Sequence, residues 1–122
     1  MKFLLKSQQG ELNAMLMYKA FADKLGDTND AATFRKLAAE EGHHAAVFHK
    51  LTNKVLKPKN TTALLLPLLY KILGKKRLYK LIAQGEYAAI DKYKQIIDRF
   101  PEVKSVMNDE KRHGDTIMGL IE

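Results

Sequence analysis

The sequence predicts an all-α protein, a four-helix bundle made of two helix hairpins joined by a long crossover that holds a short extra helix. Three observations predict it. Four segments of the 122-residue chain place apolar residues at alternating steps of three and four, as one face of an α-helix requires. No segment shows the alternation of a half-buried strand. The connection between the second and third helical segments is long, which lets two hairpins pack as one bundle.

Helix one is expected from Lys2 to Leu25, with Leu4, Gln8, Glu11, Met15, Tyr18, Ala22 and Leu25 on its inward stripe. The stretch GDTND then supplies a turn, with Asn29 or Asp30 as N-cap of helix two. Helix two spans Ala31 to Lys54 with the stripe Phe34, Leu37, Glu41, His44, Phe48, Leu51 and Val55. LKPKNTT is a loop broken by Pro58, with Thr61 or Thr62 capping a short apolar helix, Ala63 to Leu73, that Gly74 ends. Helix three is expected from Lys75 to Arg99, with Tyr79, Ile82, Glu86, Ala89, Tyr93, Ile96 and Phe100 facing inward. Pro101 suits the first turn of helix four, whose stripe is Val103, Val106, Glu110, His113, Ile117 and Leu120.

Six polar residues interrupt these apolar stripes. Glu-x-x-His occurs at Glu41 and His44 and again at Glu110 and His113, and the other two helices contribute Glu11 and Glu86. Tyr18 and Tyr93 each follow their Glu by seven residues, so the chain reads as a diverged repeat of two helix pairs. Desolvating a charged group without a partner costs several kcal/mol, so acids at core positions imply a cation that compensates them. Four carboxylates and two imidazoles from four helices are the ligand set of a di-iron or di-manganese centre, and two divalent ions neutralise the four negative charges. Manganese or zinc also fits such ligands, because geometry and availability decide between first-row metals. A lone inward His is ordinarily a hydrogen-bonded core residue; six polar residues in corresponding seats of four helices argue against that reading. Glu40 and His43 share the spacing but fall off the stripe, and His43 and His49 are expected to face solvent or a neighbouring subunit.

Composition narrows the classes. One domain spanning 1–122 is expected, long enough for a single well-filled core. With no cysteine there is no disulfide, thiolate metal site, cysteine-ligated iron-sulfur cluster or catalytic thiol. The start MKFLLKSQQGEL lacks the apolar region of a signal peptide, and the run Ala63 to Leu69 is far short of the roughly 20 residues of a membrane span. A cytoplasmic location is the expectation. The net charge is +7, and its position is more telling than its size: between Gly42 and Gly85 lie nine Lys or Arg and no Asp or Glu.

The strings GELNAMLMYKAFAD, FRKLAAEEGHHAAVFHKL, GEYAAIDKY and DEKRH together resemble the rubrerythrin branch of the ferritin-like superfamily over essentially the whole chain. The crossover, with its apolar stretch, Gly and basic residues, is similar to that of ferritin-like domains found beside vacuolar-type iron transporter domains. The resemblance implies a ferritin-like bundle holding two iron ions. It implies that Glu41 and Glu110 bridge the ions, that Glu11 with His44 completes one and Glu86 with His113 the other, and that Tyr18 and Tyr93 hold carboxylates by hydrogen bonds. The implied activity is reduction of hydrogen peroxide or dioxygen, or oxidation of Fe(II). The alternative is an iron carrier, sensor or transporter adaptor without turnover. Two departures stand out. Rubrerythrins proper carry a further Glu three residues after the third-helix ligand, where this chain has Ala89, and they carry a cysteine-ligated rubredoxin iron domain. An enzyme of this sequence therefore needs an external electron donor or incoming Fe(II).

The charges of the basic crossover, residues 54–80, are read as a solvated face; its apolar stretch is either an interfacial helix contacting a membrane or membrane partner or, as expected here, the interface of a homodimer. Nucleic-acid binding is not expected, for want of a recognisable motif or arrayed aromatics. The five Met residues are read as core filler or helix surface.

Overall fold

The computed structural model describes all 122 residues, Met1–Glu122, as four α-helices and one 3₁₀ turn with no strand. The helices are α1 (Lys2–Leu25), α2 (Asn29–Thr52), α3 (Leu65–Lys94) and α4 (Val103–Gly119), with the 3₁₀ turn at Asn60–Leu64. The chain forms two compact units, Met1–Leu69 and Tyr70–Glu122.

In the first unit α1 packs along α2 and against the 3₁₀ turn. Its apolar centre is Leu4, Tyr18, Phe21, Ala22, Phe34, Leu37 and Phe48, all buried. Phe34 meets Phe21 edge-on at 4.9 Å and Tyr18 at a tilt at 5.6 Å, arrangements that aromatic quadrupoles favour. Helix two starts and stops two residues earlier than the sequence suggests. Thr28, in extended conformation, is the N-cap and accepts the Ala31 N–H at 3.0 Å. Asn53 closes the helix in the left-handed conformation at φ 55°, which Asn tolerates better than most residues. Val55 consequently leaves the helical stripe and is 83 % exposed. The segment after Asn53 lacks regular structure but is tied to α1 by hydrogen bonds. Gln8 Nε2 donates to the Lys54 carbonyl at 2.8 Å, Gln9 Nε2 to the Lys57 carbonyl at 2.8 Å, and the Lys59 N–H to Asn13 Oδ1 at 2.9 Å.

In α3 the break falls at Gly74, whose φ 79° and ψ 172° lie where a side chain is strongly disfavoured. The short apolar helix and helix three of the sequence reading are thus two segments of one run, divided at the predicted residue. In the second unit α3 ends at Lys94, five residues before the expected Arg99. Residues 95–99 form turns, with the Ile96 N–H bonded to the Tyr93 carbonyl and the Phe100 N–H to that of Ile96. Proline disfavours helical conformation in the residue before it, so no helix runs through Phe100 into Pro101. Pro101 lies just before α4 rather than in its first turn. Leu78, Tyr79, Ala83, Tyr93, Val103, Val106 and Ile117 are buried, whereas Ile96, Phe100 and Leu120 are half-buried because they lie at or beyond helix ends.

Candidate metal centre

Each unit gathers three of the six polar stripe residues. In the first, α1 supplies Glu11 and α2 supplies Glu41 and His44 one turn apart; their exposures are 3 %, 1 % and 3 %. His44 Nδ1 lies 3.1 Å from Glu41 Oε1 and 3.7 Å from Glu11 Oε1. In the second, α3 supplies Glu86 and α4 supplies Glu110 and His113, exposed by 4 %, 4 % and 0 %. His113 Nδ1 lies 3.4 Å from Glu110 Oε1 and 3.7 Å from Glu86 Oε2. The two units therefore repeat one arrangement, down to the imidazole nitrogen that faces the carboxylates.

These groups fit a metal ion. In each unit the three donor atoms lie within 4.8 Å of one another. Nitrogen and oxygen donors bound at about 2.0–2.2 Å from a first-row ion stand roughly 3–4 Å apart, the separations seen here. Nδ1 of both histidines, Oε1 of Glu41 and Glu110, and Oε2 of Glu86 are buried and make no hydrogen bond, so these atoms are directed into the clusters. The donor set is oxygen and nitrogen without sulfur, which suits iron or manganese.

Glu40 and His43, which share the Glu-x-x-His spacing, are half-buried and exposed. Tyr18 and Tyr93 are buried, each at 3 %. His49 is exposed and pairs through Nδ1 with the Lys54 carbonyl at 2.8 Å.

Three features escaped the sequence reading. Ser7, four residues before Glu11 and so on the same side of α1, is fully buried, and its Oγ makes no hydrogen bond. Thr52 Oγ1 donates to Gln8 Oε1 at 2.6 Å in a buried bond that fastens the end of α2 to α1. The third is a clasp beside the second cluster. Tyr87, next to Glu86, lies against Gly114, next to His113. A Cβ on Gly114 would stand 2.7 Å from Cζ and 2.8 Å from Cδ1 of that ring. The Tyr87 hydroxyl donates to Asp115 Oδ1 at 2.6 Å, and Lys111 Nζ donates to Oδ2 at 3.0 Å. The bond to the Asp115 carboxylate pushes the Tyr87 phenol up to about 12. The same bond, aided by Lys111, lowers the Asp115 carboxyl below its ordinary range. The clasp's contribution is therefore full between the usual carboxylate pKa and the usual phenol pKa; it is lost as pH falls through the lowered Asp115 value and as pH rises towards the Tyr87 value of about 12.

The clasp leads to a paired expectation. Gly114→Ala forces the Tyr87 ring aside, and overpacking of this kind costs about 1–3 kcal/mol. That outweighs the roughly 1 kcal/mol that Ala gains over Gly inside a helix. At Gly42 a Cβ would meet only the flexible Met15 side chain, with Sδ at 3.1 Å, so Gly42→Ala keeps the helical gain. Thermal melts of the metal-free protein should show a lower midpoint for Gly114→Ala and an unchanged or higher one for Gly42→Ala. Equal losses would contradict the close approach of Tyr87.

A helical chain with a repeated buried Glu and Glu-x-x-His is the signature of a ferritin-like di-metal protein. The sequence matches the rubrerythrin family over residues 2–121, and the chain belongs to that family. The fold class is accordingly all-α, a ferritin-like four-helix bundle, and the family is a di-iron one. No curated protein and no solved structure matches the chain. No helix is long and apolar enough to cross a membrane.

Proposed function

We propose that the chain is a non-haem di-iron oxidoreductase that reduces peroxide or dioxygen, or oxidises Fe(II). In this reading Glu11, Glu41, His44, Glu86, Glu110 and His113 are the ligands of one dinuclear centre. The observation that carries it is the repeated arrangement of three buried donors, two carboxylates and one imidazole, in each unit of a chain from a di-iron family.

Glu11 with His44 would hold one ion and Glu86 with His113 the other, with Glu41 and Glu110 contributing a carboxylate to both. The packing of α1 along α2 fixes Glu11, Glu41 and His44, so these donors are oriented before metal arrives. Burial excludes bulk water and keeps each carboxylate from being solvated elsewhere, which strengthens its attraction to a cation. Tyr18 and Tyr93, buried on the same stripes seven residues after Glu11 and Glu86, are assigned to hold carboxylate orientation. Two bound Fe(II) ions would supply the two electrons that reduction of one peroxide to water requires. No protein nucleophile takes part in that chemistry. These 122 residues contain no cysteine, so repeated turnover at this centre draws its electrons from a donor beyond them or from fresh Fe(II).

The reading is tested by adding hydrogen peroxide to the Fe(II)-loaded protein in the presence of a reductant and following oxidation optically. Several turnovers per site are expected. A single slow oxidation, with no catalytic consumption of peroxide, would instead mark an iron-binding protein without turnover.

A further inference from the structure

The first segment of α3, before the Gly74 break, carries apolar residues on opposite faces, with Lys71 its one charged residue. Successive helical residues rotate by about 100°, so Leu65, Leu68 and Ile72 share an arc of roughly 60° while Leu66 and Tyr70 face the opposite way. Leu66 is buried at 4 %, which identifies the inner side. The outer side is exposed: Leu65 by 44 %, Leu68 by 56 % and Ile72 by 67 %, with Leu64 of the preceding 3₁₀ turn at 74 %. A helix with apolar residues on both faces requires cover on the outer one as well.

Charge says what covers it. Lys71 flanks the exposed stripe, and Lys75, Lys76 and Arg77 follow directly after the Gly74 break, all exposed. From Gly42 to Gly85 nine Lys or Arg stand without a single acid. A two-fold dimer through this face would set the patch against itself, because such interfaces bring the same surface together from both copies. Like charges would then meet around the apolar stripe, a costly arrangement. The complement is a surface apolar at its centre and negative around it. We propose that this segment docks in the plane of an anionic bilayer, with Leu65, Leu68 and Ile72 entering the headgroup boundary and Lys71, Lys75, Lys76 and Arg77 meeting lipid phosphates. No helix here can span a bilayer, so the contact is peripheral and reversible. The inference rests on the crossover alone and stands whether or not the metal centre turns over.

The test is co-sedimentation of the full chain with vesicles of phosphatidylcholine, with and without phosphatidylglycerol. Binding is expected only when phosphatidylglycerol is present and should weaken as salt screens the charges. Lys71→Gln should reduce the partition about fivefold, the equivalent of about 1 kcal/mol per basic residue at the surface. Leu68→Ser combined with Ile72→Ser should reduce it by about tenfold or more. Both positions are exposed, so an unchanged melting midpoint will show that the fold is intact. Equal binding to neutral vesicles, or none to anionic ones, would overturn the proposal. So would binding to an acidic peptide without vesicle binding. A dimer by light scattering that the Leu68→Ser, Ile72→Ser protein loses, again without vesicle binding, would assign the face to a second copy instead.

Discussion

Chelating the metal from the loaded protein should lower its melting midpoint by about 10–20 °C. Each unit buries two carboxylates and an imidazole at 0–4 % exposure, and ions that bind only the folded state stabilise it by mass action. At a free metal concentration a thousandfold above Kd, one site contributes about 4 kcal/mol. For a domain of this size about 1 kcal/mol corresponds to roughly 3–5 °C. Circular dichroism melts before and after a chelator, with excess Fe(II) or Mn(II) restoring the original curve, measure this directly. A midpoint insensitive to both would mean that the clusters are ordinary core polar groups.

Glu41→Gln should reverse sign between the two states: more stable than the parent without metal, less stable with it. Glu41 and Glu11 present carboxylate oxygens within 4.8 Å of each other in the first unit. Two unit charges at 4 Å repel by about 4 kcal/mol at an effective dielectric constant of 20, an upper limit for the relief that the neutral amide brings. The amide keeps the volume, so no cavity offsets that relief. With metal, the amide is a poorer ligand. Losing an outer hydrogen-bond partner of a metal ligand already costs 10–100-fold in affinity, so losing a ligand should cost more than about 100-fold. Melts of both proteins, with and without metal, give the four midpoints. A uniform loss of stability in both states would point to a packing role for Glu41 and against metal ligation.

The six proposed ligands were legible because each is a polar residue at a position where the helical spacing demands an apolar one. Their burial at 0–4 % follows from the same periodicity that places Phe34, Phe48, Val106 and Ile117 inside. Gly74 was legible too, since a glycine between two apolar helical patterns marks a break. Helix ends were less so. Thr28 competes with Asn29 and Asp30 as a cap, all three being good ones, and tertiary context chose among them. Val55 continued the stripe on paper, but Asn53 in the left-handed conformation had already ended the helix. Phe100 extends the inward stripe in the sequence, although it lies past the expected helix end at Arg99 and directly before a proline. The Tyr87–Gly114 contact and the Gln8–Thr52 bond join residues 27 and 44 positions apart, so no local pattern announces them. A glycine inside α4, directly after His113, was the one available hint.

Metal content per chain tests the central claim most directly. After reconstitution with Fe(II) and removal of loosely bound ions, elemental analysis should give about two metals per chain for the parent. Substituting alanine at Glu41 or Glu110, the carboxylates proposed to serve both ions, should reduce that number. One ion or none in the reconstituted parent would contradict a dinuclear centre built from Glu11, Glu41, His44, Glu86, Glu110 and His113.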